Sequence, residues 1–326
     1  MTLADGCAAA MLVGLLAYAV LGGADFGGGV WDLFSSGPRK EQQREAIARA
    51  MGPVWEANHV WLIFVIVVFF SAFPEPWAVF STAMFTPLRL ALIGIALRGV
   101  AFVFRAYAPH HGRTEARFSA VFGAASLCTP FVLGTAVSAV CAGTLRSDGP
   151  VPTASWLSPM SLAMGAAAVS LCAYLAAVFL CVETEGELRE DFRRRALVSG
   201  GVVVAGATLT LPLLRHEAPH LWAGLLGRGA PALAVGGLTA LLALYGLLTR
   251  RFGLTRLATI AQVSAIVVGF GLAQYPYLLY PAWTVQASAA PAPTLKFFLL
   301  SLPFGVALLV PSLVFLFRVF KAPARQ

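Results

Sequence analysis

Nine stretches of this 326-residue chain are apolar enough and long enough to cross a lipid bilayer as helices. They lie near 8–30, 52–73, 77–104, 118–144, 157–182, 196–214, 230–249, 255–277 and 297–318. A helix needs about 20 apolar residues to traverse the hydrocarbon core. Only 12% of the residues are charged and 59% are hydrophobic, with a mean hydropathy of +0.79. Soluble domains carry about 25% charged residues. The predicted fold is therefore all-α, a polytopic membrane protein forming one integral membrane domain over residues 1–326. The third and fourth stretches exceed the bilayer thickness and are expected to tilt or project into the interface. The longest runs between them, near 31–51 and 278–296, are about twenty residues each, too short for a folded domain outside the membrane.

Positive charge sorts by side. Loops on one side of the predicted spans hold 17 Lys and Arg residues, and the other side holds 4. Two more, Arg89 and Arg98, fall inside the third span. Basic loops stay in the cytoplasm, so the N-terminus is expected outside and the C-terminus in the cytoplasm. The net charge of +8 follows this topology and implies no nucleic-acid partner. No Lys or Arg precedes the first apolar run, which is read as a retained helix rather than a signal peptide. The five cysteines show no CxxC or metal spacing and are read as packing residues.

Polar groups inside the apolar runs carry the functional argument. The string GPVWEANHVWLIFVIVVFFSAFP, residues 52–74, is wholly apolar from Leu62 to Phe70. Its first turns nevertheless hold Glu56, Asn58 and His59 between Trp55 and Trp61, with Pro53 suited to a helix start. Glu56 and His59 share a helical face. Ionisable groups within a span are costly and point to function; a capping cluster at the headgroup level, with tryptophan anchors, is the alternative. The first span ends in Gly22, Gly23, Ala24, Asp25, Phe26, Gly27, Gly28 and Gly29. Such glycines allow close helix approach and are expected to weaken the helix there. Asp25, Glu56 and Arg98 fall at one depth on three consecutive helices. They form either an ion-pair network that fixes helix register or a path for protons from the cytoplasm. Neither a phosphate loop nor a Ser/His/Asp set occurs in a believable context. His216 and His220 are four residues apart, but Pro219 between them argues against a metal site.

The string GPVWEANHVWL resembles the signature of subunit II of the cytochrome bd quinol oxidases, including the cyanide-insensitive branch. LGGADFGGGVWDL at 21–33, LRGVAF at 97–102, ETEGELR at 183–189 and YPYLLYP at 275–281 resemble further segments of that family in the same order. The resemblance implies two four-helix bundles with a peripheral ninth helix. It implies a heterodimer with a haem-bearing subunit I, which holds haems b558, b595 and d and oxidises quinol while reducing dioxygen to water. Small single-helix subunits and membrane lipid are further expected partners. This chain is then expected to bind no cofactor of its own. Haem iron takes His or Met as axial ligands, and His59 is the only histidine in a predicted span. The resemblance gives the proton path to Glu56 and Asp25, with Asn58, His59 and Arg98 as the supporting polar cluster, and oxygen access to Trp61. Two acids usual in the family are replaced here by Gly22 and Val103. The alternative is a proton- or cation-coupled transporter using Asp25 and Glu56. A transporter favours interrupted helices in matching halves, and only the first span shows an interruption.

Overall fold

The first apolar stretch folds as one helix, α1, Leu3–Leu33, in a computed structural model that describes residues 2–51, 55–107, 113–145 and 153–321. Thr2 and Asp5 cap its start reciprocally. The Thr2 hydroxyl accepts from the Asp5 N–H at 3.1 Å, and Asp5 accepts from the Thr2 N–H at 2.8 Å. Between Tyr18 and Gly22 the helix widens into a π turn, in which the Gly23 N–H reaches back to the Tyr18 carbonyl. The glycine-rich end does not fray. Residues Gly23–Leu33 stay helical, and Gly27, Gly28 and Gly29 are buried against neighbouring helices. A Cβ on Gly27 would run into the Cys172 carbonyl, and one on Gly29 into the Ser126 side chain. The irregularity thus falls earlier than the glycine run suggests, because packing outweighs glycine's weak helix propensity.

The remaining helices are α2 Lys40–Met51, α3 Trp55–Ala72, α4 Pro74–Ala83, α5 Phe85–Tyr107, α6 Arg113–Cys141, α7 Pro159–Glu183, α8 Gly186–Glu217, α9 Pro219–Leu226, α10 Ala230–Leu248, α11 Phe252–Gln274 and α12 Ala292–Lys321. The expected third span, 77–104, is two helices. The chain breaks at Met84 (φ −95°, ψ 20°), and Pro87 sits in the first turn of α5. A proline there has no N–H for residue 83's carbonyl and would clash with it in a continuous helix. Among the described residues eight helices are long and apolar enough to span a membrane, and α3 contributes a shorter apolar run, Ala57–Ala72. The expected count of nine rests on that ninth stretch, whose predicted start at 52–54 lies outside the described residues.

The loops expected near 31–51 and 278–296 are not structureless. The first contains α2, which buries Gln43, Ala46, Ile47 and Met51 along one face. The second, with the end of the YPYLLYP string, forms an antiparallel hairpin of β1 Tyr277–Leu279 and β2 Trp283–Thr284. The second half of α1 lies between α6 and α7, and its first half between α3 and α12. Helix α5 runs along α6, α7 along α8, and α10 along α11. Helix α12 leans on α1 and α3, and none of its apolar window is buried. Much of the interior is Ala, Cys and Gly. Small residues let the helices approach closely where lipid offers no hydrophobic drive.

Candidate functional site

The π turn delivers Asp25 to the inside of the molecule, with 6% of its surface exposed. The Asn58 side-chain amide on α3 donates to the Asp25 carboxylate and, at 3.4 Å, to the Leu21 carbonyl. Arg98 on α5 is 1% exposed. Its Nη2 donates to the backbone carbonyl of Asp25 at 2.9 Å, and its Nε to the Ser126 hydroxyl on α6 at 3.1 Å. The guanidinium lies 5.1 Å from the Phe26 ring centre and 5.2 Å from that of Phe122. Neutral oxygens and ring faces thus hold this cation. Among the described residues no carboxylate oxygen approaches it within the 4.0 Å of an ion pair.

Seven residues further along both helices a second pair repeats the geometry differently. Arg105 Nη1 donates to Asp32 Oδ1 at 2.9 Å, a direct ion pair. The Asp32 side chain is wholly buried. Phe122 serves both arginines, since Arg105 lies 5.1 Å from its ring centre. Sequence reasoning missed Asp32 and Arg105. The signal was there: Asp25 and Asp32 on one helix, and Arg98 and Arg105 on another, share the same seven-residue spacing, and so the same face.

The other predicted site residues fall as follows. The His59 ring lies 6.0 Å from Tyr18 and 5.9 Å from Phe26, centre to centre. Trp61 is half-buried against the cluster of Tyr18, Phe26 and Cys172, with its ring edge toward Phe64 at 6.5 Å. The backbone of Glu56 is in α3, but its side chain lies outside the described residues. At Gly22 a Cβ would meet the Tyr18 ring, which fills the space of the expected acid. Val103 is 45% exposed, facing away from Asp25. Arg89 is exposed, with its guanidinium 5.0 Å from the Phe85 ring centre. His220 stacks on Tyr280 with centres 4.6 Å apart. No group of three or more His, Cys, Asp or Glu able to hold a metal ion occurs among the described residues.

A cavity of about 370 Å³ borders Asp25, and Arg98 is not among its lining residues. Its polar lining is Asp25, Asn58, Glu183 and Arg256. Glu183 and Arg256 belong to the face carrying the arginine-rich loops. There Arg39 grips Asp191 with two hydrogen bonds of 2.8 and 2.7 Å and reaches Glu187 at 2.6 Å. Gln43 joins this network by donating to Asp191 at 3.1 Å and accepting from Arg195 at 2.6 Å. The network ties α2 to the start of α8.

These features define a multi-pass helical membrane protein that buries opposite charges within its spans. The sequence model of the family described as cytochrome bd terminal oxidase subunit II matches residues 3–320, and the chain belongs to that family. It is 25% identical over 325 residues to the putative cytochrome bd menaquinol oxidase subunit II of Bacillus subtilis, covering 94% of this chain and 92% of the relative. It is 30% identical over 186 residues to the cytochrome bd ubiquinol oxidase subunit 2 of the same organism, covering 56% of this chain and 54% of that one. The bd oxidase structure from Geobacillus thermodenitrificans superposes with a TM-score of 0.83 at 25% identity, covering 98% of this chain and 99% of the matched chain. Between the two readings of the sequence, family membership decides for the oxidase subunit over the transporter.

Proposed function

We propose that this chain pairs with a haem-bearing subunit I in the bacterial plasma membrane and brings protons from the cytoplasm to the site where quinol oxidation drives dioxygen reduction to water. In this reading the N-terminus is outside, the C-terminus is cytoplasmic, and haems b558, b595 and d belong to the partner. Small single-helix subunits and lipid complete the assembly. The observation that carries the proposal is the setting of Asp25. Its carboxylate is buried, held by the neutral Asn58 amide, and bordered by a cavity. Ionisable groups within a span are costly to bury, and where they border a cavity they mark proton and ion paths. Arg98, on the other flank, offsets the carboxylate's charge without bonding to it. Glu56 is the second acid of the path, and His59 packs beside the cluster. Trp61 opens the apolar run Leu62–Phe70, a wall without water-holding groups along which oxygen can reach the partner from the bilayer.

The experiment is Asp25→Asn in the assembled oxidase. The variant keeps the shape and loses the titrating group. A severalfold lower quinol oxidase rate with an unchanged haem spectrum is expected. A wild-type rate overturns the role of Asp25.

A further inference from the structure

We infer that the cavity behind Asp25 is the water-holding intake through which protons reach this carboxylate, with Glu183 as the carboxylate at its outer mouth. The inference rests on the proposed role of Asp25 and adds the direction of approach. Three observations carry it.

The first is continuity. One cavity is lined by both Asp25 and Glu183, and the rest of its lining, including Ile47, Ala50 and Leu180, is largely apolar. At about 30 Å³ per water molecule the volume of 370 Å³ holds roughly ten waters. Asp25 and Asn58 anchor such a chain at the inner end, and Glu183 and Arg256 anchor it at the outer end. Apolar walls between them leave the waters free to reorient.

The second is the state of the mouth. Glu183 and Arg256 stand 4.0 Å apart with side chains 40% and 42% exposed. Solvent therefore reaches both side chains. Glu183 ends α7 and begins the ETEGELR string. A partly exposed carboxylate at this point can collect a proton from bulk water and pass it to the chain of waters inside.

The third is that the opposite approach is shut. On that side the Arg98 guanidinium fills the space between Phe26 and Phe122, and Asp32 is tied to Arg105. A proton arriving there has to pass a buried cation, and charge repulsion is strong where water does not screen it. No carboxylate is left unpaired on that flank among the described residues, since Val103 is apolar and turned outward.

The test uses the complete oxidase, following proton uptake with a pH-indicating dye as the quinol-reduced enzyme meets oxygen. Glu183→Gln is expected to slow uptake and turnover about fivefold or more, and Glu183→Asp to restore at least half of the rate. Ala50→Phe fills the middle of the cavity without touching a charge. It is expected to slow uptake to a similar degree while the quinol KM stays unchanged. Because Ala50→Phe leaves the Glu183–Arg256 pair in place, it decides the matter even where Glu183→Gln fails to assemble. Wild-type uptake in Ala50→Phe and Glu183→Gln, with slow uptake in Asp25→Asn, overturns the intake and leaves the role of Asp25 standing. Wild-type uptake in all three overturns both. A lipid or quinone that co-purifies with the wild type and is expelled by Ala50→Phe, with uptake unchanged, also overturns the intake.

Discussion

Arg98 and Arg105 occupy equivalent places on one helix, share one phenylalanine and face two aspartates on α1, yet the two pairings are opposites. Arg105 meets the carboxylate of Asp32 directly. Arg98 meets the backbone of Asp25 and leaves its carboxylate to an amide. The first arrangement neutralises two charges permanently and suits holding helices together. The second sets the cation on the Asp25 backbone and an amide on its carboxylate, a different setting for the acid. Burial is similar in both, so what separates the two sites is the atom that the arginine binds.

That contrast can be broken at its structural end first. Arg105→Ala strands a buried carboxylate without its cation, which costs about 3–5 kcal/mol. The assembled complex, measured by haem absorbance after purification, is expected to fall to a small fraction of wild type. The double variant Asp32→Asn, Arg105→Gln removes both charges and is expected to recover most of the yield with normal turnover. Recovery without turnover would give the Asp32 pair a working role and erase the distinction.

The glycines sharpen the comparison next. In Gly27→Ala the new methyl meets the Cys172 backbone, which cannot step aside, so about 1–3 kcal/mol of stability is lost. The drop should show as a lower Tm of the complex. In Gly29→Ala the methyl meets both the hydroxyl and the Cβ of Ser126, so the two helices must part there and the hydroxyl's bond to Arg98 is disturbed. Here Tm is expected to fall as well, and turnover to fall more than in Gly27→Ala. Equal effects on both readouts in both variants would mean that Ser126 does not hold Arg98 for function.

Arg98→Lys comes third. Lysine keeps the charge but loses the fork that reaches Ser126 and Asp25 at once. One hydrogen bond to a charged group contributes about 1.5–3 kcal/mol. Turnover is expected to drop roughly tenfold in an intact complex, and a wild-type rate would show that charge alone suffices. The smallest effect belongs to the basic face. Arg39→Ala removes a partly exposed pair with Asp191 and an exposed one with Glu187, contributions of about 1 kcal/mol or less. High salt should shrink the difference further.

The helices themselves were legible from apolar length, because that property is local. So was the shared depth of Asp25 and Arg98, since charge in a span is conspicuous in any sequence; the third charge expected with them, Glu56, has its side chain outside the described residues. The break at Met84 was less visible, because the runs on either side of Pro87 are equally apolar. Asp32 escaped notice because it sits at a span's end, where an acid reads as a solvated residue; only the spacing of Arg105 on another helix shows that it is buried. That Arg98 binds a backbone carbonyl rather than a carboxylate has no signature in residue types. It follows from the rotation of α1, which the three-dimensional packing sets. Glu183 illustrates the same limit, since its place opposite Asp25 depends on α7 and α11 meeting around a cavity.

The π turn at Tyr18–Gly22 sets that rotation. Each residue of an α-helix turns the chain by about 100°, and a π turn accommodates one residue more than a regular turn. Removing a single residue between Tyr18 and Gly22 would let α1 relax to ordinary winding and swing Asp25 and Asp32 together away from α5. Every later residue of the helix would keep its chemistry and lose its address. For this segment the number of residues therefore carries information that their identities do not. A chain of this kind tolerates exchanged side chains in the turn more readily than a change in its length.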